Sequence, residues 1–189
     1  QSECEDCPEG TYSDANGTSA CTACEAGTVT AAVGSTSCRA CSTGTYQSAS
    51  GQSECKDCAK GTHANTEGLS SCSACDAGTF SAAGAVNCSQ CEPGKYSTTS
   101  ATSCLNCSVG QYAAFYASST CTACGIGKVA VAVGSSSCKA CPSGRYQSAS
   151  GGHECEDCES AMKPCWYFAV TSDFLMLSKG SSEYFQPRA

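Results

Sequence analysis

The fold that this chain predicts is an elongated cysteine-rich solenoid, built of small disulfide-rich repeats with short β-hairpins and little helix. Three observations lead there. Cysteine makes up 21 of 189 residues, a density that marks a disulfide scaffold. Leu, Ile, Val and Phe together number 18, under a tenth of the chain. Without cysteine such a composition would read as disorder, so cross-links must stand in for the missing core. One pattern also recurs at a fixed short period, which is the signature of an array of stacked units.

The founding copy runs from Cys7 to Cys21 and reads C-PEGTYSDANGTSA-C. Each copy has Cys, two residues, Gly, one residue, a ring or Val, a small polar run, a turn position, three residues, Cys, two residues and Cys. Nine copies start at Cys7, Cys24, Cys41, Cys58, Cys75, Cys91, Cys107, Cys124 and Cys141; seven span 17 residues, and those from Cys75 and Cys91 span 16. The units from Cys41 and Cys141 are close matches, as are those from Cys24 and Cys124. Block duplication accounts for this without any structural requirement. The repeats are therefore placed at residues 1–158. The first seven residues, QSECEDC, match the unit tails QSECKDC and GHECEDC, so the start is expected to be an internal cut.

Within a unit, the first glycine is present in all nine copies, from Gly10 to Gly144. Cys-x-x-Gly opening a loop is expected to need a positive φ or a tight approach to the disulfide. Two residues on stand Tyr12, Val29, Tyr46, His63, Phe80, Tyr96, Tyr112, Val129 and Tyr146. They are expected to supply one packed side chain per unit, covering a disulfide and a neighbour's backbone. The second turn position is Gly in seven units and Ser100 or Ala117 in the other two, as suits a turn that usually wants glycine. The segments between are too short for a helical face. Short two-stranded pieces and turns are expected up to Cys158.

The pattern decays after Cys158, where Ala161 stands in place of the expected glycine. Residues 159–189 carry the densest apolar stretch, with Trp166, Tyr167 and Phe168 followed by Phe174, Leu175, Met176 and Leu177. This segment is expected to be a terminal cap or the start of a following β-rich domain.

Ten Cys-x-x-Cys pairs admit three readings. Cys-x2-Cys-x13-Cys-x2-Cys has the spacing of a Cys4 zinc site. However, the period shifts between 17 and 16 without regard to pairs of units, and only two histidines are present. Redox catalysis needs a Cys-x-x-Cys at a helix start beside a sheet, and no such context is visible. Structural disulfides fit best, with no metal or cofactor expected. The simplest register closes each long loop: Cys7–Cys21, Cys24–Cys38, Cys41–Cys55, Cys58–Cys72, Cys75–Cys88, Cys91–Cys104, Cys107–Cys121, Cys124–Cys138 and Cys141–Cys155. Cys158 then takes Cys165, and Cys4 is left for a residue upstream of the fragment. A crossed pairing of alternate cysteines stays open at this stage.

So many paired thiols belong in an oxidising compartment. The formal charge is −7, with ten scattered basic residues, which does not suit a phosphate backbone, so no nucleic-acid partner is expected. No run of about 20 apolar residues is present to span a membrane, so membrane contact would come only through parts of the parent outside this fragment. Three glycosylation sequons occur, at Asn16, Asn87 and Asn106. Asp14, Asp57, Asp76 and Asp157 do not form a calcium-loop pattern, and His63 and His153 read as ordinary loop residues. No Ser-His-Asp or paired-carboxylate arrangement can be placed, so no enzyme is expected.

The unit C-x-x-G-x-Y/F-x9-C-x-x-C resembles the cysteine-rich repeat of ephrin-receptor-like segments. It is also similar to the first small module of tumour-necrosis-factor-receptor cysteine-rich domains. That resemblance implies that the cysteines flanking the Gly-x-Tyr loop pair with each other, so that Cys7 joins Cys21 with Gly10 at the turn and Tyr12 as the packed ring. The chain lacks the crossed second modules of those receptors. Long pure arrays of this unit resemble those in large surface proteins of algae, ciliates and other protists, including flagellar or cell-coat appendages. The expected role is an extracellular structural rod or spacer in a cell-surface or fibrous assembly. Its partners would be copies of itself or other extracellular proteins. The alternative is a receptor or adhesion ectodomain stalk that binds a protein ligand.

Overall fold

A computed structural model describes residues 6–14 and 20–158. Among these the chain forms only two-residue strands, eighteen in all, and no helix. They pair into nine antiparallel hairpins. In the first, β1 (Thr11–Tyr12) pairs with β2 (Thr22–Ala23), with Thr11 opposite Ala23 and Tyr12 opposite Thr22. The same register recurs in every unit, through Arg145 opposite Asp157 and Tyr146 opposite Glu156 in the last. The second strand of each hairpin is thus the two-residue linker of a Cys-x-x-Cys, which joins the last cysteine of one unit to the first of the next.

Each unit is set by a turn at its first glycine. Thr11 N–H donates to the Pro8 carbonyl at 3.1 Å, and Gly10 has φ +79°. A positive φ at the third residue alone defines a type II turn, which asks for glycine there. In the first five units the next residue is Thr, whose hydroxyl donates to the same carbonyl, as Thr45 does to Ser42 at 2.7 Å. The unit closes when Cys24 N–H donates to the Gly10 carbonyl at 2.9 Å, a bond repeated down to Cys158 and Gly144.

Units stack through backbone bonds to the next unit. Gly27 N–H donates to the Gln47 carbonyl at 2.7 Å, and Gly51 N–H donates to the Cys24 carbonyl at 2.8 Å. Gln47 N–H in turn donates to Leu69 of the unit after, at 3.2 Å. From Gln47 to Ala130, the residue after the ring position has such a pair of bonds, joins three successive units and lies along the inside of the stack. This is why Gln47, Ala64, Ser81, Ser97, Ala113 and Ala130 are buried along with the first cysteines. A run of hydrogen bonds between neighbouring units only is the hallmark of a quasi-one-dimensional solenoid.

The first glycine has a further reason to be glycine. Sequence reasoning offered a positive φ or a tight approach to the disulfide. The structure has the positive φ, but the close approach is to backbone two units away. A Cβ on Gly94 would fall on the Gly134 carbonyl, 2.8 Å from its carbon and 3.4 Å from its Cα. The same contact pairs Gly10 with Gly51, Gly27 with Gly68, Gly61 with Ser100 and Gly78 with Ala117. At the second turn, Ser100 and Ala117 keep positive φ values of 57° and 56°. The backbone conformation is thus common to all the described turns, even where glycine is not.

Candidate functional site

The chemistry of this chain is concentrated in its ladder of disulfides. Nine bonds join pairs of described residues, Cys7–Cys21, Cys24–Cys38, Cys41–Cys55, Cys58–Cys72, Cys75–Cys88, Cys91–Cys104, Cys107–Cys121, Cys124–Cys138 and Cys141–Cys155. Each spans 13 or 14 residues with Cα atoms 5.6–5.8 Å apart, within the usual range for a disulfide. Each bond closes a loop within its own unit, so the crossed alternative does not occur among them. By the chain-entropy estimate, each removes about 3 kcal/mol of freedom from the unfolded chain. Cys158 is also disulfide-bonded; its expected partner Cys165 and the leftover Cys4 lie outside the described residues, as do Asn16 and the tail from residue 159.

The two cysteines of a bond are not equivalent. The first is buried in eight of the nine bonds, with Cys24, Cys41, Cys58, Cys91, Cys107 and Cys124 at 0% exposure, and Cys141 is half-buried. The second is half-buried in eight of the nine bonds, and Cys21 is exposed. The ring positions flank this ladder. Val29 and Val129 are buried, while Tyr12, Tyr46, His63, Phe80, Tyr96, Tyr112 and Tyr146 are half-buried. Size accounts for the difference, since valine is short enough to sink fully and the longer rings reach the surface. Tyr146 uses its hydroxyl to donate to the Glu156 carboxylate at 2.7 Å.

Sequence reasoning missed the polar residues along the inside. Gln47 is 1% exposed, donates through Nε2 to the Glu54 carbonyl at 2.7 Å and accepts from Ala49 N–H at 3.1 Å. Ser81 and Ser97 donate to Thr62 and Thr79 carbonyls of the preceding unit, each at 2.9 Å. No buried side-chain nitrogen or oxygen among the described residues lacks a partner. These polar groups are therefore stabilising in place and would be costly to strand.

Of the sequons, Asn87 and Asn106 are exposed. The Asn106 carboxamide lies over Gly134, its Cγ 3.7 Å from where a Cβ would sit. His153 is exposed, whereas His63 faces a sulfur: its Nδ1 is 3.3 Å from Cys88 Sγ of the next unit. The only signal for this in the sequence was that one ring position out of nine holds a histidine. Exposed apolar side chains gather late in the array, with Phe115 78%, Ile126 67%, Val131 63% and Val133 62% exposed. An open groove there is lined by Val129, Val131, Lys139, Pro142 and Arg145. No helix among the described residues is long and apolar enough to cross a membrane.

The architecture defines a class: a tandem array of cysteine-rich hairpin repeats. Within that class, residues 1–38 and 35–75 match the family model described as tyrosine-protein kinase ephrin type A/B receptor-like. Over these residues the chain resembles two adjacent ephrin-receptor-like segments. No curated protein matches the chain significantly. Disulfide-rich receptor-like repeats of this kind are typical of extracellular or cell-surface proteins, and the family is non-catalytic in kind.

Proposed function

We propose that the array is an extracellular rod or spacer that sets distance and stiffness within a larger cell-surface or fibrous assembly. One observation carries this reading. Every unit has its own disulfide and shares backbone hydrogen bonds with its neighbours along the chain. Such a stack resists extension because a unit that opens leaves backbone groups of its neighbours unpaired, while its own disulfide limits how far its loop can stretch. Partners would be copies of the same array or other extracellular proteins, and flagellar or cell-coat appendages are assemblies of the fitting kind.

Small-angle scattering of the oxidised protein tests the reading. A compact globule of this length has a radius of gyration of about 16 Å. The rod requires a value well above that, with a linear cross-section region in the scattering curve. A globular profile would remove the basis for a spacer.

A receptor or adhesion stalk is the second reading. It is supported by the receptor-like family match and by the exposed Phe115, Tyr116 and Ile126, since exposed apolar patches often mark interaction sites. Selective retention of an extracellular ligand, lost on charging these positions, would favour the stalk; self-association lost on the same change would favour the fibre.

A further inference from the structure

Nine units carry an equivalent ring position, and one of them, His63, holds a metal-ligating side chain. His63 Nδ1 lies 3.3 Å from Cys88 Sγ. A ring nitrogen of His63 and the sulfurs of Cys75 and Cys88 all lie within 4.8 Å of one another. Cys75 is 1% exposed, while His63 and Cys88 are half-buried, so solvent reaches two of the three groups. Every other unit offers a phenol, a phenyl ring or an isopropyl group at this position. None of those is a zinc ligand.

We propose that His63, Cys75 and Cys88 form a latent zinc-type metal site, opened by reduction of the Cys75–Cys88 bond. While that bond is intact its sulfurs carry no charge and are poor ligands. Two external thiols reduce it: they leave as one disulfide, the S–S bond breaks, and each cysteine gains an electron and a proton. Binding a divalent zinc-type ion then releases those two protons and gives two thiolates and one imidazole. Zn–S bonds of about 2.3 Å and Zn–N bonds of about 2.0 Å place tetrahedral donors roughly 3.5–3.8 Å apart. The nitrogen is already near that distance from Cys88 Sγ. The one change needed is for the two sulfurs to part, and their Cα atoms, 5.8 Å apart, leave room for it. Three protein ligands leave a fourth position for water, as in open zinc sites. Metal binding to the reduced form alone pulls the exchange toward reduction. The remaining ladder bonds would yield only two thiolates each, without an imidazole, and the pull on them would be weaker.

The test uses Co²⁺ as a spectroscopic probe and a water-soluble phosphine as reductant, which becomes the phosphine oxide by taking oxygen from water. The full chain is titrated with phosphine, with and without Co²⁺. Opened cysteines are then trapped by alkylation after chelation and mapped by mass spectrometry. The expected result is that Co²⁺ lowers the phosphine concentration needed to open Cys75–Cys88 before any other described bond. One Co²⁺ per chain should bind, with a thiolate-to-cobalt absorption band. His63→Tyr installs the residue that other units carry at this position, so the fold should survive, as an unchanged disulfide map before reduction will verify. It should weaken Co²⁺ binding at least tenfold and abolish the order of opening. Equal opening of all the bonds, or equal Co²⁺ binding by wild type and His63→Tyr, would overturn the proposal.

Discussion

Gly94 and Gly144 have nearly the same backbone conformation, φ +87° and +85°, and differ in what lies beside them. At Gly94 an added Cβ would sit 2.8 Å from the Gly134 carbonyl carbon, with the oxygen closer still. At Gly144 no described atom lies within 4 Å. An alanine at either site costs about 1–2 kcal/mol for occupying the left-handed region. At Gly94 it must also push back a carbonyl by most of an ångström from the usual carbon–carbon contact of about 3.5–4.0 Å. Overpacking of that kind costs about 1–3 kcal/mol. Gly94→Ala should therefore exceed Gly144→Ala by about 1–3 kcal/mol, and the excess should appear two units away. The assay is native-state hydrogen exchange at the Gly134 amide, which donates to Cys107 at 2.8 Å. Exchange there should quicken by roughly 5- to 150-fold in Gly94→Ala and stay unchanged in Gly144→Ala. Equal effects of the two substitutions, or no change at Gly134, would refute the claim that alternate units touch through this glycine.

Other outcomes follow from the same contacts. Gln47→Ala removes the buried side chain that bonds both the Glu54 carbonyl and the Ala49 amide and should cost about 1–3 kcal/mol. Gln147→Ala breaks the matching pair of bonds at a more exposed place and should cost clearly less, as measured by exchange at Ala49 and Ala149. Ser100→Gly and Ala117→Gly relieve left-handed backbone at φ 57° and 56° and should each stabilise their unit by about 1 kcal/mol, seen as slower exchange of their own amides. Arg145→Ala removes the exposed ion pair with Asp157, 2.6 Å in length, and should change stability by less than about 1 kcal/mol, within the scatter of local exchange measurements.

Much of the fold was legible because it is written in cysteine and glycine. Paired cysteines at a fixed interval define the unit, and Cys-x-x-Gly marks the turn that Thr11 and Gly10 build. Hairpins and the absence of helix among the described residues follow from segments too short for a helical face. What lay hidden has a common physical cause. Gln47, Ser81 and Ser97 are buried by their place in a backbone ladder and not by apolarity, so no hydrophobic period marks them. The reach from Gly94 to Gly134 depends on how units coil in space, and spacing along the chain does not encode that. His63 read as an ordinary loop residue because its partner, Cys88, is supplied by the next unit.

Peptide mapping of the unreduced protein is the most direct test of the central claim, that each unit is closed by its own covalent bond. The account requires Cys41 linked to Cys55, Cys58 to Cys72 and so on through the nine loops of the ladder, with no link from one unit to another. Bonds joining cysteines of different units, or free thiols where these loops should close, would contradict it.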